Sequence, residues 1–163
     1  MKTILLVRHA KSDRESLSMS DSARSLNERG RKDASVMAKR LLSKNIPIDV
    51  FFSSPARRAY STASIFGEAF GVDSKKITVI PELYMAEPPA FHQVITRAPA
   101  EANTIIIFSH NQGITDFANM LTSVKIDNMP TCSIFAIEAA VDDWKGFTVK
   151  GNRFLFFDYP KLV

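Results

Sequence analysis

Apolar residues along the chain fall into two alternating kinds of segment. Short runs rich in β-branched and aromatic residues occur at 3–7, 49–52, 77–80, 104–108, 132–139 and 153–158. Longer segments between the first four carry a helical stripe. In 27–44, Ala34, Met37, Ala38, Leu41 and Leu42 recur at the spacing of one helix face. Asn27 is placed to cap that helix. Residues 55–70 follow Ser53-Ser54-Pro55, which predicts a second helix with Ser54 as its cap and Pro55 at its first position. A weaker pattern covers 89–98. A further stripe, Ile114, Phe117, Ala118 and Leu121, follows Gly113 within 113–123. Strands alternating with helices predict βαβ units and a mostly parallel sheet covered on both faces. The last two strands have only a loop rich in Asp, Gly and Lys between them and can pair as a hairpin. The stretch from Ser12 to Ser25 reads as a loop.

Composition bounds this picture. A chain of 163 residues with 45% hydrophobic and 23% charged residues suits a single domain over 1–163 with a sizeable core. The lone cysteine, Cys132, excludes an intrachain disulfide and points to a reducing, cytoplasmic setting. It lies in an apolar run and reads as a small core residue. The apolar run at the N-terminus has four residues, too few for a signal-peptide core or a membrane span. Net charge is +4 and the isoelectric point about 9.3. No basic stripe with aromatic platforms accompanies that charge, so nucleic acid and membrane are not the expected partners. A positive pocket for phosphate accounts for it equally well.

The candidate chemistry sits where open α/β sheets bind ligands, at the carboxyl ends of the strands. Arg8 and His9 follow the first strand, and Ser109 and His110 follow the fourth. The helix after the second strand carries Arg57 and Arg58. The third histidine, His92, follows no strand and reads as a surface residue. Taken singly, each of these residues has a plain structural reading as a cap or a solvated face. Together they place two histidines and two or more arginines on one rim. Arginine forks match phosphoryl oxygens. A neutral imidazole can attack phosphorus and form a phosphohistidine that water then hydrolyses. Two histidines and one cysteine make a poor zinc ligand set, and arginines repel a cation, so no metal or other cofactor is expected.

At these residues the chain resembles a known family. Leu6-Val7-Arg8-His9-Ala10-Lys11-Ser12 is similar to the Arg-His signature of the histidine phosphatase superfamily, in the form seen among SixA-like phosphohistidine phosphatases. Arg24-Ser25-Leu26-Asn27-Glu28-Arg29-Gly30, Ser54-Pro55-Ala56-Arg57-Arg58-Ala59-Tyr60-Ser61-Thr62-Ala63, Pro81-Glu82-Leu83-Tyr84 and Ser109-His110-Asn111-Gln112-Gly113 resemble further family segments in the same order. The likeness covers roughly 3–123. Ala10, Ser25 and Gln112 depart from common family residues without removing a charged one.

The resemblance implies a phosphoglycerate mutase-like three-layer α/β/α sandwich and no cofactor. It implies His9 as nucleophile, with Arg8, Arg58 and His110 holding the phosphoryl group. Arg57 is then a bystander, and Arg24 lies near the pocket mouth. Glu82 is the nearest candidate for a general acid, with a capping or salt-bridged role as its alternative. The implied activity is hydrolysis through phospho-His9, with phosphohistidine on a protein as substrate. No enclosing insertion is evident between residues 80 and 104, which favours phosphate displayed on a protein surface. The alternatives are a phosphatase of small phosphorylated molecules and a non-catalytic module that binds phosphoproteins; a mutase fits less well.

Overall fold

The structure is a computed structural model and describes residues 1–13 and 20–162. Residues 14–19 of the expected loop from Ser12 to Ser25 lie outside the described residues. Six strands form one sheet: β1 (Lys2–Arg8), β2 (Val50–Ser53), β3 (Thr78–Val79), β4 (Thr104–Ser109), β5 (Ile134–Ala139) and β6 (Arg153–Asp158). Four α-helices accompany them: α1 (Glu28–Leu42), α2 (Arg57–Ala69), α3 (Pro88–Thr96) and α4 (Gly113–Leu121). The spatial strand order is β3-β2-β4-β1-β5-β6. β1, β2, β3 and β4 pair in parallel, whereas β5 joins β1 antiparallel and β6 joins β5 antiparallel.

Alternation along the strands feeds two cores. Leu5, Val7, Phe51, Ile106 and Phe108 face α1 and α2. Ile4, Leu6, Phe52, Ile105 and Ile107 face α3 and α4. The result is the expected three-layer α/β/α sandwich with a mostly parallel sheet. All six residues of β4 are buried, the signature of a central parallel strand. Phe108 stacks on Phe51 and meets Phe66 edge-on, at centroid separations of 6.2 and 5.2 Å. Each such fully buried side chain contributes roughly 1.5–3 kcal/mol over its exposed state.

Of three boundaries, one follows the sequence reading and two differ from it. Asn27 caps α1 as expected, its side chain accepting from Gly30 N at 2.8 Å. Helix α2, in contrast, starts at Arg57 with Ala56 as its cap residue and no side-chain cap. Ser54 Oγ accepts from Ala56 N at 3.2 Å and from His110 Nε2 at 2.8 Å, so its hydroxyl serves the site. The fifth strand begins at Ile134 rather than Cys132. Cys132 adopts a left-handed backbone (φ 62°) that breaks the extended run. In that conformation its N–H donates to the carbonyls of both Arg8 and His9 at 3.0 Å. The Cys132 side chain is fully buried, as expected, and burial pushes its thiol up.

The sheet order creates the crevice that matters for function. β4 lies between β1 and β2. The helices that follow β1 and β2 pack on one face, and the helix that follows β4 packs on the other. The carboxyl ends of these three strands therefore open into one crevice at the point where the helices change face.

Candidate functional site

His9 sits just past β1. Its N–H donates to Ser109 O at 3.1 Å, so the parallel ladder with β4 extends one residue beyond the strand. That register brings His9 and His110 side by side, with ring centroids 5.3 Å apart. The turn after His9 is held from two sides. Ala10 N donates to Thr62 Oγ1 at 2.9 Å, and the Thr62 hydroxyl donates to Arg58 O at 2.7 Å. Lys11 O accepts from Asn27 N at 3.1 Å, and Gly30 lies so close that a Cβ there would sit 2.0 Å from the same oxygen.

The guanidinium of Arg58, 2% exposed, lies between the two imidazoles. Arg58 Nε donates to His9 Nε2 at 3.3 Å, and Nη2 donates to His110 Nδ1 at 3.2 Å. These contacts fix the tautomers, because arginine can only donate and a carbonyl can only accept. His9 Nδ1 lies 2.7 Å from Ala10 O and carries the proton, which leaves a lone pair on Nε2. His110 carries its proton on Nε2 and donates it to Ser54 Oγ. Both rings are neutral near pH 7. Burial is the main cause for His9, whose pKa falls to about 4; the charges of Arg58, Arg8 and Arg24 add to it, against the Ala10 hydrogen bond. His110 falls to about 3 by burial first, then by His9 and Arg58.

Arg8, His9, Arg58 and His110 all line one cleft of about 250 Å³, so the structure brings the four expected residues together. Arg8 Nη1 donates to Met129 O at 2.9 Å. Its Nε is buried with no hydrogen-bond partner among the described residues. Arg24 also lines the cleft, with its Nη2 3.1 Å from Asp21 Oδ1. Arg57 is exposed outside the cleft.

Two expectations need correction. Glu82 is exposed and lines a separate groove with Phe52, Thr78 and Arg97 rather than this cleft. The 3₁₀ turn Pro81–Leu83 turns Leu83 into the core and Glu82 away from it. His92 is half-buried, its Nε2 3.1 Å from Phe147 O and its ring against the Phe147 ring, so it is a packing residue rather than a surface one.

The cleft also holds residues that sequence reasoning missed. Asp21, in the 3₁₀ turn Asp21–Ala23, accepts from Arg58 Nη2 at 3.0 Å and from the Tyr84 hydroxyl. The Tyr84 hydrogen bond is the largest cause that holds the Asp21 carboxyl down at about 2; Arg58 and Arg24 reinforce it. Lys11, Ser12, Met85, Asn111 and Thr131 complete the wall. Lys11, Ser12 and Asn111 abut the two histidines in sequence and were readable as neighbours. Asp21 and Thr131 come from aperiodic loops and had no signal. Among the described residues no three His, Cys, Asp or Glu side chains converge as a metal site. No helix of the described residues is long and apolar enough to cross a membrane.

The arrangement suits a tetrahedral dianion: cationic forks on several sides and an unprotonated imidazole nitrogen within reach. Known proteins share this fold. The protein histidine phosphatase SixA, solved as a complex with tungstate, shares the fold at a TM-score of 0.81 and 20% identity over 97% of both chains. A putative phosphohistidine phosphatase SixA from Agrobacterium tumefaciens superposes at 0.80 with 23% identity over 98% of both chains. A mycobacterial glucosyl-3-phosphoglycerate phosphatase has the same fold at 0.69, with 15% identity over 94% of this chain and 96% of its own. An uncharacterized chloroplastic protein of Arabidopsis thaliana is 28% identical over 159 residues, 92% of this chain and 72% of that protein. The model of the histidine phosphatase superfamily (branch 1) matches residues 4–86, just over half of the sequence and inclusive of His9 and Arg58. The chain therefore belongs to the histidine phosphatase superfamily, and its activity is that of a phosphatase.

Proposed function

We propose that the chain hydrolyses phosphohistidine on proteins through a covalent phospho-His9 intermediate, within one catalytic domain. His9 Nε2 attacks phosphorus in line. Arg8 and Arg58 hold the phosphoryl oxygens and spread their charge, and His110 joins them as a donor from Nδ1 once the bound dianion favours its imidazolium. The phosphorus–nitrogen bond of a ring-protonated substrate breaks, and its imidazole leaves neutral. His9 keeps its Nδ1 proton against Ala10 O, so the phosphorylated ring is cationic and is itself a good leaving group. Water then attacks phosphorus, dihydrogen phosphate departs, and neutral His9 is restored. Neither step consumes a proton from the protein.

One observation carries the choice of substrate. Among the described residues the carboxylate on the cleft is Asp21, held ionised with a pKa of about 2, and Glu82 faces elsewhere. Neither can protonate an alkoxide at neutral pH. An imidazole leaving group, with a pKa near 6.5 in the free amino acid, arrives already able to take its proton from solvent. The fold likeness to SixA proteins supports the same reading. A small phosphoester remains the second reading, favoured by the mycobacterial phosphatase of this fold. We place the chain in a reducing compartment, the cytoplasm, on the strength of its single buried thiol.

The test compares wild type with His9→Ala on a phosphohistidine peptide, p-nitrophenyl phosphate and an alkyl phosphate. Wild type is expected to favour the peptide over the alkyl ester and to trap an acid-labile phosphoenzyme. His9→Ala is expected to lose roughly 10³-fold or more on every substrate. Retained turnover in His9→Ala overturns the mechanism, and a preference for the alkyl ester overturns the substrate.

A further inference from the structure

Beside the phosphate cleft lies a second groove of about 370 Å³, and Lys11 and Thr131 form a wall common to both. Its other cations are Arg29, on the first turn of α1, and Lys161, beyond β6. Neither of these lines the phosphate cleft. We propose that this groove docks the polypeptide bearing the phosphoryl group and selects acidic side chains next to the phosphorylated residue. The inference rests on the reading of the chain as a protein phosphatase.

Charge complementarity carries it. Three cations line the groove against one carboxylate, Asp33. Asp33 is engaged by Arg29 at 3.2 Å, and the Arg29 side chain stays 56% exposed while that of Asp33 is only 15% exposed. The groove therefore presents positive charge outward. Its remaining surface is the faces of Tyr159 and two prolines, rigid and partly apolar, which suit the backbone and apolar side chains of a peptide. A phosphoryl group fills only the smaller cleft. Whatever carries that group must leave the cleft across its walls, and the Lys11 wall leads directly into the larger groove.

The probes are two fluorescent phosphohistidine peptides that differ only in flanking Glu or Gln. Wild type is expected to favour the Glu peptide about tenfold in kcat/KM, through KM, as two or three exposed ion pairs would produce. The double variant Arg29→Glu, Lys161→Glu is expected to abolish or invert that preference, with p-nitrophenyl phosphate turnover unchanged. Equal turnover of the two peptides overturns the proposal. So does a preference that survives charge reversal, or a loss shared equally with p-nitrophenyl phosphate. If wild type hydrolyses none of the three substrates, the phosphatase reading has failed instead. Fluorescence anisotropy of both peptides on the His9→Ala protein, with and without the two reversals, then decides the groove on binding alone: tighter binding of the Glu peptide that the reversals remove supports docking, and indifference overturns it.

Discussion

His9 and His110 are neutral for a shared reason: each is buried beside the other and beside the cation of Arg58. This has a thermodynamic sign. Their pKa values in the folded chain, about 4 and about 3, lie below the unfolded value of about 6.5. Between these limits the unfolded chain binds more protons, so stability falls as pH drops. Above about pH 6.5 the two rings carry no such penalty; below it they destabilise the fold by up to a few kcal/mol. Asp21 works in the same sense at lower pH: its stabilisation is lost as pH falls from the unfolded value of about 3.8 through about 2. We expect the melting temperature to fall between pH 7 and pH 4. The decline should be shallower in a His9→Ala, His110→Ala double variant. Parallel profiles for the two proteins would refute the assignment of neutral, buried rings. A bound phosphate should reverse the shift, because a nearby dianion favours the imidazolium.

The same scale shows what a sequence can disclose. Arg8, His9 and His110 were legible because each directly follows an apolar strand, and a strand end has a known address in an α/β sheet. Arg58 was legible only by its spacing within a family segment. Asp21 was not legible, since a loop carboxylate has no periodic partner and its place depends on contacts with Arg58 and Tyr84 more than 30 residues away in the chain. Glu82 misled because position in a segment does not tell which way a turn aims its side chain.

At the scale of elements, the helices do more than cover the sheet. Helix α1 presses its first turn onto the loop after His9, and the approach is possible because residue 30 has no side chain. Helix α4 does the same against the loop before α3, where a Cβ on Gly113 would sit 1.6 Å from Ala86 O. The obstacle in both cases is backbone, which cannot swing aside. Gly30→Ala is expected to cost about 2–4 kcal/mol and to lower activity by displacing Lys11. Gly146→Ala is the control: a Cβ there meets nothing within 4 Å. Differential scanning calorimetry should show a drop of roughly 5–15 °C for Gly30→Ala and little change for Gly146→Ala. Equal melting temperatures would show that α1 can tilt without loss. The helices themselves were readable from their stripes, and Asn27 from its capping role. The true start of α2 was not, because Ser54 resembles a cap in any local window and is claimed by a histidine 56 residues away.

At the scale of the molecule, the strands were countable from their apolar runs, and so were their parallel majority and the closing hairpin. The lateral order was not, because alternation says which face a residue takes and nothing about which strand lies beside which. That order sets when the enzyme can exist. β1 and β2 are made early, but they are never neighbours: β4 lies between them, and it is the fourth strand to leave the ribosome. His9 and Arg58 thus wait, as synthesis proceeds, for a strand made well after both of them to wedge them into position. A chain ending at residue 103 should contain His9, Arg8 and Arg58 and yet have no phosphatase activity, with wide-open hydrogen exchange in β1 and β2. Adding back residues 104–163 as a separate polypeptide should restore both activity and protection together. An active fragment ending at residue 103 would mean that the central strand is dispensable. Catalysis in this fold is thus a late event in the life of the nascent chain, and its onset times the insertion of a single strand.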